Sequence, residues 1–331
     1  MDAIDAVLDG LKLQSSVFSR MELRGGWGFS KASLEGAPFH IVLEGEAWVE
    51  ATGGKPTRIG RGEMAILPRG LPYRLLSKPG ADAVPFQRVL VDLGLEHWKP
   101  GDRVEPVFLR MGTGKPVTKL VSGVFDFTDP RKNPLVASLP EVLVLRESDV
   151  STVPGAHLVQ IGRMISDEIE ANKLGARLAA ARLADYLFVQ AVRAHLVSSA
   201  STDPGWLRGL RDPSVGASLA MIHADPRRDW SVKTLAQEVG MSRSQFAQQF
   251  KLHVGQAPIE YLTTWRMFDA ASRLDDRQLS LKEIARNAGY NSVAAFGKAF
   301  KRWAGASPAA MRRGTRGGST ARLPTPRRER R

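Results

Sequence analysis

Cysteine is absent from all 331 residues, which excludes disulfides, thiol catalysis and Cys-based metal sites. That absence suits a reducing compartment. No apolar run approaches the ~18–20 residues a membrane helix needs. The first residues are acidic (Asp2, Asp5, Asp9) where a secretory signal would be basic and then apolar, so they read as a short amphipathic helix. No Ser-His-Asp spacing is apparent either. These absences favour a cytoplasmic, non-enzymatic protein without a membrane partner.

What is present is charge, unevenly placed. The formal net charge is +13. Residues 1–216 are almost neutral, with 26 Lys/Arg against 25 Asp/Glu. Residues 217–311 hold 13 against 8, and residues 312–331 hold 8 against 1. A basic excess confined to the C-terminal part points to a polyanionic partner there.

Residues 230–308 carry the same pattern twice. Each copy has a short helix (232–239; 281–288), a glycine turn (Gly240; Gly289) and a second helix (244–254; 293–304). Each second helix carries a Phe pair four apart, Phe246/Phe250 and Phe296/Phe300, then a glycine followed three later by proline (Gly255, Pro258; Gly305, Pro308). A helix pair joined by a tight glycine turn is a helix-turn-helix. The Phe pairs must be core. Ser244, Gln245 and Gln248 then face outward, and Gln can pair with adenine in the major groove. Arg243 and Lys251 suit phosphate contacts, which position without specifying. In the second copy Asn291, Ser292 and Lys298 are the candidates, while Val293 and Ala294 offer only apolar contact. Residues 258–274 read as a helix joining the copies. Ser280 with Glu283 reads as a capping box.

The run Ile284, Ala285, Ala288, Gly289, Tyr290, Ser292, Phe296, Phe300, Lys301, Gly305, Ser307, Pro308 resembles the AraC/XylS transcription regulators. The resemblance implies two helix-turn-helix units on one linker helix. They would enter successive major grooves of promoter DNA about one helical turn (~34 Å) apart. It also implies a homodimer, contact with RNA polymerase, bacterial origin and activation more than repression.

Before this, residues 17–150 read as short strands punctuated by Gly and Pro, as in a sandwich or barrel. The spacing Gly62, Pro68, Gly70, Tyr73 resembles the second cupin motif, with Tyr73 where that motif has a metal-binding His. Of the first motif's ligands only His40 is present, short of the three or four a metal needs. The barrel therefore reads as a ligand-binding or structural cup without metal or cofactor.

Arg20 and Arg24 form an RxxxR, followed by Lys31, Ser33 and Gly36 in an xxSxxG pattern. Together they resemble the cyclic di-GMP-binding signature of PilZ domains, with Lys31 replacing the usual Asp/Asn. Two arginines can clamp phosphates and the guanine edge. Exposed arginines on an edge strand, or another small ligand in the cup, remain open readings.

Residues 156–173 and 174–197 read as two helices. In the second, Leu174, Leu178, Ala181, Asp185 and Phe188 mark one line of a broad apolar stripe, with Leu183, Leu187 and Ala191 beside it. That stripe packs on the barrel or pairs with a second subunit, and dimerisation is the expectation. The reading is thus a multidomain α+β chain. Residues 1–150 form a cupin-like β-barrel that senses a small molecule, and 151–204 a helical dimerisation segment with linker. Residues 205–311 form an all-α domain with two helix-turn-helix units, and 312–331 a basic disordered tail.

Overall fold

The computed structural model describes residues 13–314 except 35, 93, 95–105, 127–135, 137, 151–157, 172, 199–204, 275 and 277. The expected N-terminal helix, most of the linker and all but the start of the basic tail lie outside these. The described residues fall into two compact units, one within Leu13–Arg131 and Leu139–Ala200, the other chiefly within Ser201–Arg331.

The first unit is built from short strands: β1 (Gln14–Arg24), β2 (Gly28–Lys31), β3 (Ala37–Glu44), β4 (Glu46–Ala51), β5 (Thr57–Gly60), β6 (Met64–Ile66), β7 (Tyr73–Leu76) and β8 (Val84–Pro85). Helix α1 (Phe86–Asp92) follows, then β9 (Val107–Met111), β10 (Val117–Asp126) and β11 (Leu143–Leu145). Among the described residues the strands form two sheets rather than one closed ring. One has the order β11-β6-β3-β10-β1-β9, the other β5-β4-β7-β2-β8. Their inner faces share one core that includes Met21, Leu23, Phe29, Val42, Val49, Leu75, Leu120 and, from α1, Phe86, Val89 and Leu90.

Pairing register decides which side chains face that core. In β1 a bulge between Val17 and Ser19 resets the alternation. Beyond it Ser19, Met21 and Leu23 are buried, while Arg20, Glu22 and Arg24 alternate with them on the opposite face. β1 is flanked by β9 and β10, so the RxxxR arginines do not lie on an edge strand.

Short α2 (Glu147–Val150) precedes α3 (Leu158–Ala171) and α4 (Ala176–Ser198), which cover the outer face of the six-stranded sheet. Gly162 lets α3 approach closely, since a Cβ there would sit 2.9 Å from Ile41 Cγ2. Phe188 of α4 packs on Phe125 at 5.0 Å between ring centroids. The buried line of α4 is Ala180, Ala184, Leu187, Phe188 and Ala191. Leu174 and Leu178, on the expected apolar stripe, are exposed at 107% and 61%, and Leu174 precedes the helix start.

The second unit is all-helical. It comprises α5 (Trp206–Arg211), α6 (Pro213–Ala224), α7 (Val232–Glu238), α8 (Arg243–Val254), α9 (Pro258–Ser272), α10 (Leu281–Asn287), α11 (Val293–Ala304) and α12 (Pro308–Gly314). Arg312, assigned to a disordered tail from composition, belongs to α12. Its guanidinium donates to Leu274 O (3.1 Å) and Leu279 O (2.9 Å), closing the segment between α9 and α10. Local sequence missed this because the acceptors lie 38 and 33 residues away. No helix of the described residues is long and apolar enough to cross a membrane.

Candidate nucleic-acid interface and effector cup

Each of the paired units in the helical part is set by local chemistry. Ser231 caps α7 in a reciprocal box with Thr234. Gly240 takes φ +69° in the turn, a left-handed conformation that glycine adopts without strain. Ser242 then caps α8. In the second copy Ser280 and Glu283 form the expected box, with Ser280 N donating to Glu283 Oε2 at 2.7 Å. The Ser280 hydroxyl, which also donates to Glu283 Oε2 at 2.7 Å, and then the Ser280 amide hold the Glu283 carboxyl below its usual range. Gly289 turns the chain at φ +77°, and Ser292 caps α11. Left-handed Gly255 and Gly305 end the two second helices.

The second helices match in burial, position by position. Phe246, Phe250 and Val254 are buried in α8, and Phe296, Phe300 and Ala304 in α11. Truncating one such Phe to Ala would cost about 3–5 kcal/mol. With that face fixed, Arg243, Ser244, Gln245, Gln248 and Lys251 are exposed along α8. Asn291, Ser292, Val293, Ala294 and Lys298 are exposed at and along α11.

Two of these side chains are partly committed. Ser242 Oγ donates to Gln245 Oε1 at 2.8 Å, so one of the two lone pairs of the acceptor used in two-pronged adenine recognition is engaged. Ser292 Oγ accepts from Ala295 N at 3.3 Å. Gln248, one turn into α8, is the better placed reader.

The linker helix α9 holds the copies together through Arg266. Its Nε donates to Pro226 O (2.7 Å) and one Nη to Arg228 O (3.0 Å), both in the turn before α7. The same guanidinium lies against Gly289, where a Cβ would be 2.8 Å from Cζ. One arginine thus touches a turn of each copy. Between α9 and α11 runs a groove of about 700 Å³, bordered by Thr263, Thr264, Tyr290, Lys298, Arg302 and Trp303. Lys298 and Arg302, one helical turn apart, bring two cations to this groove beside the Glu260 carboxylate, while the Thr263 hydroxyl donates to Ile259 O at 2.8 Å. Arg302 lies outside the set drawn from sequence, and its four-residue spacing from Lys298 was the available signal.

In the strand-rich unit the signature residues do not gather into one cradle. Arg20, on the outer face of its sheet, pairs with Glu170 of α3 and lies 5.2 Å from the Phe108 ring. Arg24 pairs with Glu22 at 2.7 Å, which holds the Glu22 carboxyl below its usual range. Ser33 Oγ donates to Gly70 O at 3.1 Å. Gly36, at φ +95°, backs onto Phe125 O, where a Cβ would come within 2.7 Å. Lys31 points the other way, into the space between the sheets.

Register explains that orientation. Lys31 pairs with Tyr73 and Tyr73 with Ala51, so Lys31 and Tyr73 project together from the five-stranded sheet. Across from them Ser19, Ser122, His40 and Ala65 stand side by side on adjacent strands. His40 Nδ1 lies 2.7 Å from Ser122 Oγ and Nε2 lies 2.8 Å from Tyr73 OH, linking the two sheets. The next row inward is apolar: Met21, Leu120 and Val42 on one sheet, Phe29, Leu75 and Val49 on the other.

Burial, with the Lys31 charge second, holds the His40 imidazole well below its usual range and so neutral. Burial pushes the Tyr73 phenol up. Both ring nitrogens of His40 are spent on neighbours. No group of three or more His, Cys, Asp or Glu among the described residues is placed to hold a metal.

Comparison with known proteins follows the same division. Residues 2–197 match the cupin family model and residues 235–314 a helix-turn-helix domain model. An AraC-like transcription regulator of Streptomyces lividans is 32% identical over 315 residues, covering 95% of this chain and 98% of that protein. The HTH-type transcriptional regulator AlkR of Acinetobacter baylyi is 29% identical over 312 residues, covering 93% and 98%. Among solved structures, the DNA-binding domain of AdpA in complex with target DNA matches 32% of this chain and 94% of its own, at 33% identity and TM-score 0.30.

Proposed function

The chain belongs to the AraC-like transcription regulators, DNA-binding proteins with a cupin-like N-terminal domain, and from that premise we propose that it couples a small-molecule effector to promoter recognition. The observation that carries the DNA half is the matched exposure of α8 and α11 behind two identical Phe cores. Gln248 and Ser244 read bases, with Gln245 assisting. Arg243, Lys251 and Lys298 meet phosphates, and Asn291 and Ser292 complete the second contact. Because Val293 and Ala294 offer no hydrogen bonds, the second copy mainly positions the first.

A homodimer is supported by Met164, Leu174 and Leu178, which leave an apolar face of α3 and the start of α4 exposed. Activation through RNA polymerase in a bacterial cytoplasm is the family expectation.

The effector is assigned to the space between the sheets. Cyclic di-GMP at Arg20 and Arg24 is the alternative that the RxxxR signature supports. It requires both arginines to leave Glu170 and Glu22, and it leaves Lys31 on the wrong side of the sheet. Footprinting of the full chain on its own promoter region, with and without cyclic di-GMP, tests both halves. A protected pair of adjacent major grooves is expected, unchanged by the dinucleotide. Absence of any protected site would remove the DNA reading, and a change in protection lost in Arg20→Ala/Arg24→Ala would move the effector to the arginines.

A further inference from the structure

A glycine inside a helix weakens it, because the bare backbone has more freedom to lose on folding than that of any other residue. Among the described residues Gly162 stands inside α3, Gly209 inside α5, Gly216 inside α6 and Gly297 inside α11. Three of these have a neighbour that requires them. A Cβ would sit 2.9 Å from Ile41 Cγ2 at Gly162, 2.8 Å from Val254 Cγ2 at Gly209, and 2.9 Å from Leu210 O at Gly216. At Gly297 a Cβ would meet nothing within 4 Å. Its φ is not left-handed either, so the local backbone suits any residue. The ends of α11 are already punctuated by Ser292 and Gly305. Nothing within the described residues asks for a glycine at this position.

Its place on the helix supplies a reason from outside. Val293 and Lys301, one turn before and after Gly297, are exposed, and so is the adjacent Lys298. Neither lysine forms an ion pair among the described residues. The open position thus borders the cationic face of α11. In α8 the corresponding residue is Ala247, because Phe246 matches Phe296. Only the second copy lacks the methyl group.

We propose that Gly297 is a positioning residue for DNA, and that it lets the backbone of α11 seat more deeply in the major groove than α8 does. This rests on the reading of α11 as the helix that enters the second groove. An edge of the double helix fills the space a side chain would take, the close approach to a ligand that glycine permits. The neighbouring side chains account for the need. Val293 is short, so it touches base edges only when the helix lies deep. Lys298 and Lys301 then reach phosphates, which fix the helix in the groove without reading sequence. On α8 the longer Gln248 spans the distance, and Ala247 is accommodated. Depth on α11 does what reach does on α8, and helix stability is given up for it.

The test compares the full chain as wild type, Gly297→Ala and Gly297→Leu on two duplexes. One is the bipartite site that the wild type selects from random DNA, and the other is the same duplex ending after its first half-site. Urea unfolding is read beside affinity. Gly297→Ala is expected to be the more stable protein, its folded-to-unfolded ratio rising about fivefold. It is expected to bind the full site at least tenfold more weakly than the wild type. Gly297→Leu is expected to lose protection of the second half-site in footprints. Both variants are expected to bind the shortened duplex as the wild type does. A Gly297→Ala protein less stable than wild type would show that the glycine serves the fold, and would overturn the proposal. Equal affinity for the full site, or an equal loss on both duplexes, would overturn it as well. If the wild type itself binds the two duplexes alike, the reading of α11 as a DNA-entering helix falls and the proposal with it. If the wild type prefers the longer duplex and Gly297→Ala matches it, that reading stands and only the role of Gly297 falls.

Discussion

At the scale of the residue, Lys31 and His223 make opposite demands on pH. Lys31 has an ordinary value of 10.5 and a folded value of about 7. Between those values the unfolded chain binds a proton that the folded chain does not, so this group makes stability rise with pH across the window. Below about 7 both states are protonated and the penalty is complete. Lys31→Met should therefore stabilise the protein by on the order of a few kcal/mol at pH 6, and by less as pH approaches 10. Urea unfolding at the two pH values measures this, and equal gains at both would refute it. His223 is buried against the Trp265 ring, with Nε2 2.7 Å from Tyr261 OH. Burial holds it down to about 3 from an ordinary 6.5. As pH falls between those values the unfolded chain takes up a proton the folded chain refuses, so stability declines, at a limit of ~1.4 kcal/mol per pH unit. His223→Gln should flatten that acid limb, and an unchanged slope would place the acid sensitivity elsewhere. In α8, Gln248→Ala should weaken specific DNA binding by roughly 1–3 kcal/mol while sparing unrelated sequences. Gln245→Ala should cost less, because its acceptor already serves the Ser242 cap. Affinity measured on a selected site and on scrambled DNA separates the two.

Elements that punctuate themselves locally were legible in the chain, and elements defined by distant partners were not. The Phe pairs, the Ser280–Glu283 box and the glycine ends of α8 and α11 all depend on residues within a few positions. The inward turn of Lys31 depends on its pairing with Tyr73, 42 residues later, and no local pattern carries that. The bulge in β1 likewise resets an alternation that would otherwise be read straight through. Arg312 is fixed to the helical unit by acceptors that lie far back in the chain. The two turn glycines give an element-level prediction. Gly240 and Gly289 both have positive φ, but a Cβ at Gly240 meets nothing within 4 Å, whereas one at Gly289 meets Arg266. Gly240→Ala should cost about 1–2 kcal/mol from backbone strain alone. Gly289→Ala should cost more and also disturb Arg266, which urea unfolding of both variants checks. Since Arg266 touches a turn in each copy, Arg266→Lys should widen the half-site spacings the protein tolerates. Affinities for sites lengthened or shortened by one base pair would reveal this, and an unchanged spacing penalty would contradict it.

For the whole molecule, the two compact units divide the work by chemistry. Among the described residues, the strand-rich unit sets one ammonium and the unpartnered Ser19 hydroxyl beside an apolar core that holds the unpartnered Trp27 Nε1. The helical unit repeats one scaffold and equips its two exposed helices unequally, with glutamine and serine on α8 and mostly small side chains on α11. Selection of random double-stranded DNA by the full chain addresses this division. The expected product is a bipartite site with centres about one helical turn (~10 bp) apart. One half should be sharply specified and should degrade in Gln248→Ala, and the other should be tolerant of base changes. Enrichment of a single undivided element, or two halves of equal sharpness that ignore Gln248→Ala, would contradict the account.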